Sequence, residues 1–434
     1  CIEDEIPFDV PEGWEWCRLN SIVDVRDGTH DTPTYVDKGI PLITSKNLVK
    51  GGIDYSNVKY ISEKDAISIN ERSGVNIGDI LFAMIGTIGN PSMVTEDILI
   101  SIKNVALFKF TFSKNLSNHF VMYFLDYAQE DMKNKPSGGL QPFVSLNFLR
   151  TYLVPVPPVE EQQRIVSILA DSINKIRNID VLKNELTASV KKAKSKILDL
   201  AIRGKLIPQD PNDEPASVLL ERIRAEKEEL INQGKIKRNK KESVIFKGDD
   251  NSYYGIHLPD NWNWASLREI TLSISDGSHN PPPNNGSGIP LLSAANINDN
   301  SILMNEISRW ITNEEWKIEN QRTNIEVGDV LLTIVGSIGR SAVVQNNNHF
   351  ALQRSVAVIK PCLINPLYLM HIVQSPQIQK WLTDNSKGTA QKGIYLNALS
   401  LMIIPIPPLA EQARIVEHIH IAYKQLDLIS NALL

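Results

Sequence analysis

The sequence predicts an α+β fold: two homologous mixed α/β domains, joined by long helices that pair as an antiparallel coiled coil with approximate twofold symmetry. Three observations predict it. The chain repeats itself about 250 residues further on, each copy opens with short β-rich runs broken by turn residues, and each copy closes on a helix with an apolar period of about 3.5 residues. With 434 residues, 42% of them apolar and 22% charged, the chain has material for roughly two to four cores, which excludes bulk disorder.

The repeat is legible residue by residue. Pro11-Glu12-Gly13-Trp14-Glu15-Trp16 returns as Pro259-Asp260-Asn261-Trp262-Asn263-Trp264, and Asp27-Gly28-Thr29-His30 as Asp276-Gly277-Ser278-His279. Gly39-Ile40-Pro41-Leu42 matches Gly288-Ile289-Pro290-Leu291, and Gly78-Asp79-Ile80-Leu81 through Gly86-Thr87-Ile88-Gly89 matches Gly328-Asp329-Val330-Leu331 through Gly336-Ser337-Ile338-Gly339. Leu146-Asn147 matches Leu396-Asn397. The period is too long for a solenoid, so each copy is a domain followed by a helix. The expected division is a first domain over 1–154, a spacer helix, second helix and basic linker over 155–251, a second domain over 252–404, and a distal helix over 405–434.

Inside each copy, runs such as Ile80 to Ile85 and Val330 to Val335 read as strands between Gly, Asn, Asp and Pro clusters. Stretches near Asn118 to Gln129 and Pro366 to Leu382 read as helices. From Ile165, alternate steps of four and three residues place Ile165, Leu169, Ser172, Ile176, Ile179, Lys183, Leu186, Val190, Ala193, Ile197 and Leu200 in one seam, nine of the eleven apolar. The same steps collect Ile415, Ile419, Ala422, Leu426, Ile429 and Leu433 in the second copy. A seam this narrow must be buried on another helix, and the two helices are most simply each other's partners. About 36 residues separate the outer seam positions of the first helix, roughly 54 Å of rise, which suits a spacer.

Helix boundaries agree. Pro157-Pro158 and Pro407-Pro408 stop the preceding strands, Glu160-Glu161 and Glu411 place negative charge in the first turn, and Arg203-Gly204-Lys205 is a basic, glycine-terminated exit. A further charged helix is expected from Ala216 to Gln233, followed by a basic, mobile linker over Lys235 to Lys241.

Composition limits the chemistry. Cys1, Cys17 and Cys362 form no CxxC pattern, and an odd count argues against a disulfide framework, so a reducing cytoplasm is expected. No run of eighteen apolar residues exists, and the start of the chain is acidic where a signal peptide would be basic. With 45 Lys plus Arg against 50 Asp plus Glu, the net charge of −5 requires any nucleic-acid contact to use local patches or charge lent by a partner.

No catalytic motif is complete. Asn280-Pro281-Pro282-Pro283 approaches an adenine methyltransferase loop, but its fourth residue has no aromatic face to stack on a flipped base, and no Phe-x-Gly-x-Gly turn accompanies it. No GxxxxGK[ST] loop cradles a triphosphate. Gly86-Thr87-Ile88-Gly89 and Gly336-Ser337-Ile338-Gly339 match the GXXG clamp of KH domains, yet each follows a strand, which favours a hairpin turn with glycines at positive φ over direct nucleic-acid contact. His30 and His279 fall in equivalent turns; turn structure or groove contact is favoured over metal ligation, because no second ligand follows at metal spacing.

A duplicated domain whose copies each close with Pro-x-Pro-Pro-x-x-Glu-Gln-x-Arg-Ile-Val, at Pro155 to Val166 and Pro405 to Val416, resembles the specificity subunit of type I restriction-modification enzymes. Gly139-Leu140-Gln141 and Gly388-Thr389-Ala390-Gln391 before the two Leu-Asn pairs, and the central run Gly204-Lys205-Leu206-Ile207-Pro208-Gln209 with Asn212 to Ala216, carry the same resemblance, which spans essentially the whole chain. It implies a non-catalytic DNA reader. Each target-recognition domain would read half of a bipartite, asymmetric site in double-stranded DNA, and the helices would set the unread gap. Two methyltransferase subunits would dock on the chain and motor-endonuclease subunits would join them. This chain would carry no cofactor, with S-adenosylmethionine and ATP on the partner subunits.

Side chains on matching loops are the candidates for base contacts, since Asn or Gln pairs bidentately with adenine and Arg or Lys with guanine. In copy one they are Thr29, His30, Lys46, Asn47, Asn90 and Gln141; in copy two, Ser278, His279, Asn296, Arg340, Arg354, Gln391 and Lys392. Asn47 and Asn296 equally suit turn structure. Arg340 and Arg354 stand where copy one has Asn90 and Asn104, and such differences are where different base preferences would arise. Glu161, Gln162, Arg164, Glu411, Gln412 and Arg414 are the candidates for methyltransferase docking, with helix capping as the alternative. The short distal helix and the start at Cys1 suggest that segments equivalent to the central region are missing from this sequence. The rival reading is a coiled-coil adaptor that binds only proteins.

Overall fold

The computed structural model describes residues 2–111, 115–134, 143–238, 252–388 and 392–432. The chain forms two compact units, Cys1–Asp180 and Val181–Leu434, and the division falls within one helix, Val159–Ile202.

In the first unit, the continuous apolar run Ile80–Ala83 is a strand buried on both faces. It lies in an antiparallel four-stranded sheet ordered Asp24–Asp27, Val105–Lys109, Ile80–Ala83, Gly89–Met93. Successive side chains of a strand point to opposite faces, so Ile80 and Phe82 join one cluster while Leu81 and Ala83 join another. The first cluster is closed by Phe120, Val121, Leu125 and Met132 of the helix Asn118–Asn134. The second is closed by Ile43, Leu48 and Ile102. Ile43 and Ile102 belong to a second, mixed layer in which Ser101–Ile102 runs parallel to Ile40–Ile43, and Ile40–Ile43 pairs antiparallel with Lys59–Ile61, while Leu48 lies in the separate pairing of Leu48–Val49 with Gly52–Ile53.

The second unit repeats the plan. Thr271–Asp276, Val356–Pro361, Val330–Thr333 and Ser341–Val343 form the same antiparallel order, and Ile289–Leu292 pairs parallel with Ala351–Leu352. Where one helix is expected from Pro366 to Leu382, two form, Pro366–Val373 and Pro376–Asp384. Proline lacks an N–H and its ring clashes with the carbonyl four residues earlier, so Pro376 restarts a helix rather than continuing one. The helix Ala216–Asn232 joins this unit's core through Leu219, Leu220 and Ile223, together with Leu198, Ala201 and Ile202.

Each copy closes on itself through an edge pair. Trp16 faces Pro155 across the pairing of Glu15–Arg18 with Leu153–Val156, and Trp264 faces Pro405 across that of Asn263–Ser266 with Ile403–Ile406. The strand ending in Pro-x-Pro-Pro therefore delivers the helix start next to the copy's own first tryptophans.

The long helices are in contact, over a shorter stretch than the seam suggests. Ile415 and Ile419 of the helix Leu409–Asn431 are buried in the second unit's own core. Beyond them Tyr423 donates its hydroxyl to the Lys194 carbonyl at 3.3 Å, and Lys194 pairs with Asp427. Val190 is buried, but Ile176 and Ile179 are 59% and 62% exposed, and Leu169 and Leu186 are exposed as well. A 23-residue helix that spends its first turns on its own domain has only its second half for pairing. Leu433, Asn239, Lys240 and Lys241 lie outside the described residues.

Burial of His371 in the helix Pro366–Val373, against the Tyr423 ring, pushes its imidazole down to about 4 from an ordinary 6.5. Between those values the unfolded chain binds a proton that the folded one excludes. Its contribution is complete above about pH 6.5 and is lost as pH falls toward 4, roughly 3 kcal/mol in all. Unfolding measured across that window should show a slope that His371→Leu removes.

Candidate nucleic-acid interface

The Asp-Gly-x-His turns are built by close backbone approach. A Cβ on Gly28 would sit 2.3 Å from the Ile102 carbonyl oxygen, and one on Gly277 2.1 Å from that of Leu352, so only glycine lets the turn lie against the neighbouring strand. Thr29 and Ser278 continue that contact as bridges to Lys103 and Gln353. The bridges bring residues about 75 apart in sequence to one edge of each domain.

At that edge, Asp27 is buried and both carboxylate oxygens are engaged: one accepts from Arg72, the other from His30 Nε2 at 2.9 Å. Asp276 does the same with Arg322 and with His279 Nε2 at 2.7 Å, and Arg322 Nε also donates to the Asp276 carbonyl at 3.0 Å. Each Arg comes from the last turn of a helix, Glu63–Ser73 or Asn313–Thr323. In copy one His30 Nδ1 meets Asn104 Oδ1 at 3.0 Å, and Lys103 Nζ donates to the His30 and Asp31 carbonyls, tying the loop to the same edge.

Two more turns converge there. The 3-10 turn Ser45–Asn47 is held to residue 104 by Ser45 Oγ, and its counterpart Ala294–Asn296 to residue 355 by the Ser355 hydroxyl. The GXXG segments are hairpin turns, with Gly86 and Gly89, and Gly336 and Gly339, all at positive φ. The Gly336 N–H donates to the Lys392 carbonyl, which brings the segment before the last helices to the same place. In copy two, Ala295, Gly336, Ser337, Gln353 and Arg354 line one open pocket.

The candidate base-reading residues fall into three groups. His30, Lys46, His279, Arg354 and Lys392 are exposed at this edge, and Thr29 is half-buried there. Asn47 and Asn296 are buried and hold their turns: Asn47 accepts from the Thr44 N–H and donates to the Asp54 carbonyl, and Asn296 does so with Ser293 and Glu306. That geometry favours the turn role over base reading, because both buried amides are spent on their own turns. Ser278 is buried too, its hydroxyl given to Glu319 at 3.1 Å. Asn90, in a left-handed backbone, gives its amide to the Leu48 carbonyl, and Arg340 is half-buried with its charge acting on Asp299. Gln141 and Gln391 lie outside the described residues.

The six docking candidates are mostly internal, which favours the helix-capping alternative for them. Glu161 accepts from Trp14 Nε1 at 3.1 Å, and fully buried Glu411 accepts from Trp262 Nε1 at 2.9 Å and Gln209 Nε2 at 2.7 Å. Burial raises the Glu411 pKa, against the pull of those donors. Gln162 and Gln412, also buried, bridge the helix start to the Ser117 and Asn365 N–H groups and to the Pro157 and Pro407 carbonyls. Arg414 pairs with Asp213. These side chains fasten each helix to its own domain, and Arg164 alone of the six is exposed. The repeated tryptophan in each copy's first turn was the available signal. Arg72 and Arg322 were missed because nothing local in either helix marks a last-turn arginine as the partner of an aspartate about 45 residues away.

Among the described residues no group of three His, Cys, Asp or Glu side chains gathers as a metal site would need, and no helix is long and apolar enough to cross a membrane. The model of the Type I restriction modification DNA specificity domain matches this chain twice, over residues 11–188 and 259–433. Type I restriction enzyme specificity subunits from Escherichia coli are similar along nearly its whole length: the EcoBI subunit is 23% identical over 97% of this chain and 81% of its own, and the EcoEI subunit 25% identical over 99% and 81%. Among solved structures, the HsdS subunit from Thermoanaerobacter tengcongensis shares the fold at a TM-score of 0.55 and 21% identity, covering 99% of this chain and 94% of that one.

Proposed function

This chain belongs to the type I restriction-modification DNA specificity family, and from that membership we propose that its two target-recognition domains each read one half of a bipartite, asymmetric site in double-stranded DNA. It is the non-catalytic specificity subunit of such a system. One observation carries the two-half reading: the same loop cluster is built twice, with unlike side chains at matching exposed or half-buried positions. Lys46 is replaced by Ala295, Lys103 by Gln353 and Asn104 by Arg354. Like scaffolds with unlike hydrogen-bonding groups should dock alike and prefer different bases.

In this reading two methyltransferase subunits and the motor-endonuclease subunits supply the chemistry, with S-adenosylmethionine and ATP bound on them. The long helix Val159–Ile202 sets the unread gap. Docking of the methyltransferase falls to the exposed Arg164 and the apolar residues that follow it, Ile168 and Ile176, since the other candidates are turned inward. Arg164→Glu combined with Ile168→Lys is then expected to abolish co-purification with the methyltransferase; retained assembly would move docking elsewhere.

Arg354 is the best-placed base reader, exposed in the copy-two pocket with its main-chain N–H fixed on the Ser278 carbonyl at 2.9 Å. Arg354→Ala should cost about 1–3 kcal/mol on the preferred base and relax one position of the second half-site only. Methylation of a library of site variants checks this. An unchanged preference would remove Arg354 from the reading set.

A further inference from the structure

Not every exposed group at the loop cluster differs between the copies. Asp27, His30 and Arg72 recur as Asp276, His279 and Arg322, with the same atoms paired in the same way. In each set a carboxylate at least nine-tenths buried spends one oxygen on a guanidinium and the other on an imidazole. The groups it holds stay outside: Arg72 and His30 are 63% and 59% exposed, Arg322 and His279 50% and 53%. The aspartate cancels its own charge against the arginine and fixes the direction of the fork, whose remaining N–H groups face solvent beside the turn.

A group common to both copies cannot give two unlike half-sites their different preferences. What the two halves of any duplex site share is the sugar-phosphate backbone, and contacts to it fix register and orientation without reading sequence. Resting on the DNA-reading assignment above, we propose that Arg72 and Arg322, each oriented by an aspartate whose other oxygen holds His30 or His279, are matched phosphodiester clamps, one per domain, that seat each loop cluster on duplex DNA. The unlike neighbours Asn104 and Arg354 then lie beside a fixed phosphate contact, where a change of side chain changes the base read and leaves the docking unchanged.

The test uses the chain in complex with its methyltransferase subunits, a duplex carrying the site found by methylation sequencing, and a scrambled duplex. Arg72→Gln and Arg322→Gln remove the cations. His30→Gln and His279→Gln leave the Arg–Asp pairs intact, so a folding defect in the first pair does not decide the matter. Each arginine variant should weaken binding to both duplexes by the same factor, lower the slope of log affinity against log salt by about 0.9, and leave the methylated motif unchanged. The histidine variants should weaken both duplexes alike, by less. Relaxation of one motif position would make these residues base readers, and unchanged affinity and slope in folded protein would make them structural; either result overturns the clamp. If the unaltered complex fails to prefer its site over the scrambled duplex, the DNA-reading assignment itself falls.

Discussion

Lys109→Ala is expected to destabilise the first unit by about 3–5 kcal/mol, the largest stability effect of any single change proposed for this chain. Lys109 and Asp79 are both buried; the ammonium lies 2.6 Å from the carboxylate and 2.7 Å from the Gly74 carbonyl, while the Asn76 N–H donates to the same carboxylate oxygen. Removing the lysine strands a carboxylate between the central strand Val105–Lys109 and the turn before Ile80–Ala83. Replacing the pair together, Lys109→Met with Asp79→Leu, should recover most of the loss, since the penalty lies in the unpaired charge. The equivalent Lys360 is more exposed and divides its ammonium between Asp329 and the exposed Glu326, so Lys360→Ala should cost less. Hydrogen exchange along Ile80–Ala83 and Val330–Thr333 separates the two effects.

Gly277→Ala is expected to impair recognition of the half-site read by the second domain. Its Cβ would meet the Leu352 carbonyl oxygen at 2.1 Å and that of Gln353 at 2.5 Å, both backbone atoms that no rotamer change can move aside. The turn must lift away from residues 352–354, taking His279 off Asp276 and shifting Arg354, which is fixed to this turn. Losing the Arg354 base contact, worth about 1–3 kcal/mol, and disturbing the phosphate clamp built on Asp276 beside it imply a fall of roughly 10-fold or more in methylation of the intact site, with the fold retained. Gly28→Ala should do the same through the first domain. Activity of either variant within a few fold of the unaltered chain would separate these turns from recognition.

The duplication, the paired helices and the strand runs were legible because repetition and apolar period survive loop variation. Ile80–Ala83 announced itself by being apolar on both faces, and the Asp-Gly-x-His turns by recurring. What sequence could not give was burial. Asn47 and Asn296 have the chemistry to read adenine, but a carbonyl seven to ten residues downstream claims their amides. Glu411 and Gln412 look like a solvated first turn until Trp262 and Asn365 are placed against them. Pro376 marked a helix start that the longer apolar pattern concealed. Partners distant in sequence, such as Arg72 for Asp27, are brought together by the sheet edge, which no local pattern records.

The most direct test is to map methylated adenines across the genome of cells carrying this chain with its partner subunits, and again with Arg354→Ala. The account predicts a motif of two unlike specified segments separated by a fixed stretch of any sequence, with the substitution relaxing one segment and leaving the other and the spacing intact. A single contiguous motif, or relaxation of both segments together, would contradict it.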